Sequence, residues 1–238
     1  MNKIVAIHQP NFIPWLGFFD KLHRADIFIM LDNVQFPKKG GSWTNRVKML
    51  VSGSENWITI PVDRKYHGFL EINKMMIENK SDWRSKILKS IYFSYKKTLY
   101  FENVFEFFEE LINHDTDSLV EYNLHALNQI IRVLKFDNTE IYNASSLIPE
   151  VENKKSDLLI DLIHKVNGSA YLYGAGSSYL EEDKFMSKGI DLIDQNFFHP
   201  VYNQDGRKTF TPGLSIMDAF FNLGFEKTRI LFNTHEKK

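Results

Sequence analysis

The stretch from residue 4 to residue 38 constrains the fold of this 238-residue chain more than any other part of the sequence. It contains two short apolar runs, at 4–7 and 27–31, with an amphipathic segment at 15–24 between them. Two apolar runs around a helix of about ten residues are typical of a βαβ unit, whose strands are buried on both faces. The sequence therefore predicts an α/β fold with a Rossmann-like, mainly parallel sheet flanked by helices.

The rest of the chain extends this pattern and adds a helical block. Three segments with helical periodicity follow one another within 81–135 without an intervening strand, which predicts a helical annex in the middle of the chain. A last helix is predicted from Ser215 to a stop at Gly224. No repeat or linker is visible, so we expect one domain over 1–238. Further strands are predicted at 57–62, 72–77, 139–142, 170–173 and 190–193.

Composition excludes several classes of protein. The net charge of -1 argues against a sequence-independent nucleic-acid partner, which needs a basic surface. No apolar run reaches the roughly 20 residues that span a bilayer, so we expect no membrane span. The absence of cysteine removes disulfides, thiolate metal sites and cysteine nucleophiles. The N-terminal sequence shows no secretory leader, and we expect a cytoplasmic protein.

Polar side chains follow both apolar runs where the predicted strands end. His8 and Gln9 follow the first strand, and Asp32 and Gln35 follow the second. Ligand sites in parallel sheets lie beyond the carboxyl ends of the strands, and histidine exchanges protons near neutral pH. We therefore predict His8 as a general base, with Asp32 or Gln35 orienting the imidazole or a sugar hydroxyl. The alternative is a histidine that is simply hydrogen-bonded within a tight turn.

Other segments carry candidate ligand contacts. Trp43 and Arg46 lie in or beside a Gly-rich and Lys-rich loop, and these residue types suit stacking on a ring and binding a phosphate. A glycine turn at 174–178 offers backbone N–H groups to an oxyanion or a diphosphate, unless it is an ordinary capped turn. The predicted substrate-binding residues are Gln9, Trp15, Gln35, Trp43, Asn45, Arg46, Gly174, Gly176, Ser177 and Gln204.

The predicted catalytic residues are His8, Asp32 and His199, the last of which follows the final strand. We expect these three side chains and Arg46 to meet in one hollow at a rim of the sheet. Two imidazoles and a carboxylate are also conceivable metal ligands, but no spacing such as HExxH supports this, and no metal is predicted.

The segment around Trp15 and Phe18 lies where the nucleotidylyl-transferase superfamily has its Pro-His-x-Gly-His signature, and the order of strand, loop and helix is similar. Both signature histidines would be aromatic in this chain, at Trp15 and Phe18. The likeness therefore concerns topology and puts adenylyl transfer by that mechanism in doubt. The alternative is a purely structural role, in which both aromatic rings belong to the packing face of the first helix.

The N-terminal sequence IHQPNFIPWLGFFDKLHRADIFIMLDNVQFPKKGGSWTNR and the later FFHPVYNQ and FTPGLSIMDAFFNLG resemble the WbqC-like protein family of bacteria. The resemblance covers nearly the whole chain. It implies a place in the biosynthesis of surface polysaccharide such as O-antigen, and a substrate that is a nucleotide-activated or lipid-linked sugar. An acyl-carrier protein or another enzyme of the pathway is a further partner to be expected.

The resemblance and the site residues together suggest N-acyl or aminoacyl transfer to an amino sugar. No cofactor is certain, although such a reaction needs an activated acyl donor as co-substrate. In this hypothesis, backbone N–H groups near Gly174 and Gly176 stabilise the oxyanion or hold a diphosphate. The alternatives are a nucleotidylyl-transferase-like enzyme that uses ATP and a noncatalytic sugar-binding or assembly factor of the same pathway.

Overall fold

A computed structural model describes residues 3–65, 68–174, 180–204 and 207–233. The strands are β1 (Ile4–His8), β2 (Ile27–Met30), β3 (Arg46–Val51), β4 (Ser54–Thr59), β5 (Glu140–Asn143), β6 (Ala170–Tyr173) and β7 (Asp191–Asp194). The helices are α1 (Leu16–Arg24), α2 (Trp83–Tyr95), α3 (Phe101–Ile112), α4 (Leu119–Leu134), α5 (Ala144–Leu147), α6 (Ser156–Lys165), α7 (Glu182–Ser187) and α8 (Ile216–Ile230).

Within the described residues, five strands form one parallel sheet in the order β5-β2-β1-β6-β7. The chain starts at the central strand β1, proceeds outward through β2 and β5, and then returns to the other side of β1 at β6. The strand order therefore reverses between β1 and β6. This arrangement confirms the predicted Rossmann-like α/β fold, and the reversal point is where such sheets bind ligands.

Alternating side chains of the central strand cover the two faces of the sheet. Val5 and Ile7 of β1 belong to a buried cluster that includes Leu158 of α6. Ala6, between them, belongs to a larger cluster on the opposite face that includes Phe108 of α3. Since successive strand residues point to opposite faces, a fully apolar run gives a strand that is buried on both sides.

The predicted helical annex corresponds to α2, α3 and α4. Phe108 of α3, Tyr122 of α4 and Phe220 of α8 lie in the same buried cluster as Ala6 of β1. The annex is therefore a layer that covers one face of the sheet and shares its core. Ser118 caps α4 by accepting a hydrogen bond from the backbone N–H of Glu121, so the helix begins at Leu119.

Two strand predictions need correction. The apolar run at 57–62 is strand only to Thr59, and it pairs antiparallel with β3 in a hairpin outside the main sheet. The run at 72–77 is not a strand, because Ile72–Lys74 forms a 3-10 helix. Ile72 and Met75 are three residues apart, and both become buried, since residues at this spacing lie on one side of a 3-10 turn.

Gly224 interrupts α8, as predicted for a helix stop, although a second helical turn follows it. Its φ of 76° and ψ of 172° are non-helical. A Cβ at this position would lie 2.8 Å from the ring of Tyr100, so glycine is required both by the backbone and by the packing. Over the described part of the chain, the structure contains no helix with the length and apolar character needed to cross a membrane.

Candidate functional site

A cavity of about 510 Å³ opens at the carboxyl ends of β1 and β6, where the strand order reverses. This volume falls within the range of small-molecule sites, about 300–1,000 Å³. The residues that line it and bear on its chemistry are His8, Gln9, Trp15, Lys21, Trp43 and Gly174. The cavity thus occupies the position that the topology of the sheet favours for a ligand.

A larger depression of about 700 Å³ lies on the outer surface between α5 and α6. Its charged side chains include Glu150, Glu152 and Lys165, all of which are exposed. None of the polar side chains that line it is buried. We therefore assign the candidate site to the cavity at the reversal point.

The first helix is held rigidly against the cavity. Gln195, just after β7, donates one hydrogen bond to the carbonyl of Gly17 (2.6 Å) and another to the carboxylate of Asp20 (2.9 Å). A Cβ at Gly17 would lie 2.3 Å from the ring of Trp15, so the absence of a side chain at Gly17 lets the indole lie across the start of α1. These contacts fix the wall formed by Trp15.

Asn123 of α4 fixes the loops at the cavity mouth. Its amide donates to the backbone carbonyl of Pro10 (3.0 Å) and to that of Thr44 (2.7 Å). Pro10 follows His8 and Gln9, and Thr44 follows Trp43. One buried side chain of the annex therefore ties together the two segments that carry these lining residues.

His8 is the last residue of β1, and its ring is held in one orientation. Nδ1 lies 3.0 Å from the carbonyl oxygen of Gln9, to which it donates, and the ring packs edge-on against Phe18 at 5.0 Å. Burial and then the nearby ammonium of Lys21 lower the pKa of His8 to about 4. The imidazole is consequently neutral at pH 7, and Nε2 carries the lone pair that can accept a proton.

Lys21 extends from α1 into the same cavity. Its side chain is only 5% exposed, and its Nζ donates to the carbonyl oxygen of Ile7 at 3.0 Å. Burial lowers the pKa of Lys21 to about 8, so the ammonium is mostly charged at pH 7. The cavity is therefore lined by a neutral base, the imidazole of His8, and by a buried cation, the ammonium of Lys21.

Aromatic rings form the flanks of the cavity. Trp15 packs edge-on against Phe197 at 5.3 Å, and both residues line the cavity. Trp43 is 39% exposed and packs edge-on against Trp57 at 4.9 Å. The guanidinium carbon of Arg46 lies over the ring of Trp57, 4.3 Å from its centroid. Trp15 and Trp43 can therefore contact a ring of the ligand, whereas Arg46 packs on Trp57 and does not line the cavity.

The structure does not bring Asp32 into the cavity. Asp32 is buried, and its two carboxylate oxygens accept the backbone N–H (2.9 Å) and hydroxyl (2.6 Å) of Ser145 at the start of α5. Gln35 is exposed and pairs through its backbone with Glu71. The expected orientation of His8 by either side chain is therefore not supported, because both lie elsewhere.

His199 is also separate from the cavity lining. Its Nδ1 lies 3.1 Å from the carbonyl oxygen of Pro200, and its ring stacks on Trp15 at 6.4 Å, behind the cavity wall. Burial lowers the pKa of His199. The expected common hollow of His8, Asp32, Arg46 and His199 is thus not formed, and only His8 of these four lines the cavity.

Two predicted binding residues have structural partners instead. Asn45 is buried, accepts the N–H of Ser42 (3.0 Å) and donates to the carbonyl of Ile60 (3.0 Å). Gln204 is buried and exchanges hydrogen bonds with the backbone of Thr211 (3.0 and 2.7 Å). Both amides hold loops in place, and neither lines the cavity.

Among the predicted residues of the glycine turn, Gly174 lines the cavity, and Gly176 and Ser177 lie outside the described residues. From the sequence, Lys21 is one of five basic residues that are candidate phosphate contacts, but only Arg46 is favoured among them, because lysines on helices are usually solvated. A signal existed, since Lys21 is three residues after Phe18 and therefore falls on the apolar face of α1. In the described parts of the chain, no cluster of three metal-ligating side chains occurs.

The fold and the cavity define the class of protein: a Rossmann-like α/β protein with a ligand cavity where the strand order reverses. The model of the WbqC-like protein family matches residues 9–230, so the chain belongs to this family, as the sequence resemblance predicted. The chain is also similar to uncharacterized protein Rv1507c of Mycobacterium tuberculosis, with 28% identity over 228 residues, covering 94% of this chain and 95% of that protein. No solved structure gives a significant match.

Proposed function

We propose that the protein is a cytoplasmic transferase that moves an acyl or aminoacyl group onto the amino group of a nucleotide-activated sugar. The resemblance to the family suggests that this reaction belongs to bacterial surface polysaccharide biosynthesis. The observation that carries the proposal is a neutral imidazole beside a buried cation in the cavity at the strand reversal. A base and a positive charge are the two groups that such a substrate needs.

His8 is the general base in this reaction. As the sugar amine attacks the acyl carbon and the C–N bond forms, Nε2 accepts a proton from the nitrogen. The protonated imidazole then returns this proton to the leaving group of the acyl donor. The hydrogen bond from Nδ1 to the carbonyl of Gln9 keeps Nε2 as the proton acceptor throughout.

The surroundings of His8 also favour the reactive form of the substrate. An amine attacks an acyl group only when it is unprotonated. Desolvation and a neighbouring positive charge both lower the pKa of an amine, and the cavity supplies both through its burial and Lys21. Trp15 and Trp43 are suited to contact the nucleobase or the sugar ring of the substrate.

The test compares His8→Gln with the wild type and with the control His164→Gln, whose histidine is exposed on α6. Purified proteins are incubated with nucleotide-linked amino sugars and acyl donors, and acylated product is measured by mass spectrometry. We expect His8→Gln to lower the transfer rate by about 100-fold or more, the usual contribution of a general base, and His164→Gln to have no effect.

Other results of this test contradict the proposal. Full transfer activity in folded His8→Gln protein would show that His8 is not the general base. Binding of nucleotide sugars without any product from the wild type would favour a noncatalytic sugar-binding factor. Release of pyrophosphate from ATP, dependent on the same cavity, would favour a nucleotidylyl-transferase-like enzyme.

A further inference from the structure

The charge of Lys21 lacks a counter-ion in the described residues. None of the ion pairs in this part of the chain involves Lys21, although its side chain is 5% exposed. Its recorded hydrogen-bond partner is the carbonyl oxygen of Ile7, which satisfies one of three ammonium donors. Burying an unpaired ammonium costs several kcal/mol, and proteins rarely retain such a group without a use for it.

The position of Lys21 indicates what its charge is used for. Lys21 lines the cavity together with His8 and Trp15, and its Nζ lies 5.8 Å from the ring centroid of Tyr171 on the neighbouring strand β6. It therefore stands between the two strands whose carboxyl ends define the reversal point. Asp194 also lines the cavity, but it is exposed, at the end of β7, and accepts the N–H of Asn196 at 3.0 Å.

We propose that the Lys21 ammonium binds a phosphate or diphosphate group of the ligand in this cavity. The inference deepens the proposed function and rests on it for the identity of the ligand. A lysine binds phosphate as a compact point charge, without the geometric demands of a bidentate arginine. A diphosphate beside Lys21 and a ring against Trp15 or Trp43 match the charged and aromatic parts of a nucleoside diphosphate.

Anion binding at Lys21 also affects His8. The groups that act on the His8 imidazole are the Lys21 ammonium and the Phe18 ring, both from α1, and the Gln9 carbonyl in the following turn. A phosphate would neutralise the charge of the Lys21 ammonium, so the pKa of His8 would rise toward its ordinary value. The base would then become stronger only when the anionic ligand is in place.

The experiment measures binding of inorganic pyrophosphate, UDP and uridine by calorimetry. The variants are Lys21→Met, which keeps the apolar stem and removes the charge, and Lys227→Met, which removes an exposed charge on α8. We expect Lys21→Met to weaken binding of pyrophosphate and UDP at least tenfold and to change uridine binding less than twofold. Lys227→Met should bind all three probes like the wild type.

A second measurement follows the ring resonances of His8, assigned with His8→Gln, during an NMR titration. Pyrophosphate should raise the pKa of His8 in the wild type and leave it unchanged in Lys21→Met. Thermal melting of each variant verifies that it is folded, and Lys21→Gln replaces Lys21→Met if the latter does not fold. Equal pyrophosphate affinity in wild type and folded Lys21 variants would overturn the inference, as would absence of saturable binding to the wild type.

These outcomes are separate from those that test the proposed function, because binding of pyrophosphate requires no turnover. If Lys21 is needed for pyrophosphate binding but His8→Gln retains full transfer activity, the proposed function fails and the anion site stands. If His8→Gln abolishes transfer while Lys21→Met binds pyrophosphate normally, the anion site fails and the proposed function stands.

Discussion

The cavity and the surroundings of Asp218 both contain a buried ionisable group, but the protein treats the two groups differently. Asp218, at the start of α8, accepts hydrogen bonds from the hydroxyls of Tyr95 (3.0 Å) and Tyr202 (2.7 Å) and from the amide of Gln204 (2.9 Å). Among the described residues, Lys21 donates one hydrogen bond, to the backbone carbonyl of Ile7, and its ammonium also lies near the ring of Tyr171. Asp218 has partners from two segments of the chain, α2 and the loop before α8, whereas Lys21 retains ammonium donors that are available to a ligand.

The difference teaches how to tell a structural charge from a functional one. Burial raises the pKa of Asp218, and its three hydrogen bonds oppose that rise. For Lys21, burial lowers the pKa without such compensation. Asp32 belongs with Asp218, since Ser145 satisfies both of its carboxylate oxygens. A strand-end carboxylate is therefore weak evidence for catalysis until its partners are known.

The largest expected effect on stability comes from replacing Asp218. Asp218→Ala leaves two tyrosine hydroxyls and the Gln204 amide without their acceptor, so we expect a loss of about 3–5 kcal/mol in the free energy of unfolding. Urea denaturation measures it, with Glu226→Ala as the control, because Glu226 is exposed on the same helix. A loss below about 1 kcal/mol would show that the network is not a stabilising one.

The next effect concerns Lys21, whose pKa falls from 10.5 to about 8 on folding. Between pH 8 and pH 10.5 the unfolded chain binds the proton more tightly, so stability rises with pH. At 1.36 kcal/mol per unit, this rise is at most about 3 kcal/mol. Denaturation at pH 7.5 to 10.5 should show the rise in the wild type relative to Lys21→Met. Parallel pH profiles of the two proteins would mean that Lys21 is charged and solvated.

The smallest of the three effects concerns His8, whose pKa falls from 6.5 to about 4 on folding. As pH falls from 6.5 to 4, the unfolded chain takes up the proton first, and stability is lost. Because the side chain is half-buried, we expect a loss of about 2 kcal/mol relative to His8→Gln. The same comparison in a Lys21→Met background should give a smaller loss, since one cause of the lowered pKa is removed. An unchanged loss there would show that the two groups do not interact.

Much of the fold could be predicted from local sequence because its determinants are local. The apolar runs that became β1, β2 and β6 are short and continuous, and the helices of the annex follow clear periodicity. The prediction failed at 72–77, where a burial pattern with a spacing of three was taken for a strand. An apolar run by itself does not distinguish a strand from a single helical turn.

Less of the site could be predicted. His8, Gln9, Trp15, Trp43 and Gly174 line the cavity, since each lies at or near a strand end or in the loop that covers it. The structure placed Asp32 and Gln204 in hydrogen-bond networks instead. The sequence showed that these side chains are polar, but it could not show which of them already have partners.

The sequence by itself determined the βαβ unit at the start of the described chain, the mainly parallel sheet flanked by helices and the imidazole at the end of its first strand. These features depend on periodicity and on residues that are close together in the chain. Only the tertiary structure decided that Lys21 is buried with no counter-ion among the described residues and that Ser145, 113 residues away, satisfies Asp32. The physical reason is that desolvation and hydrogen bonding depend on which distant segments pack around a group, and local sequence does not contain that information.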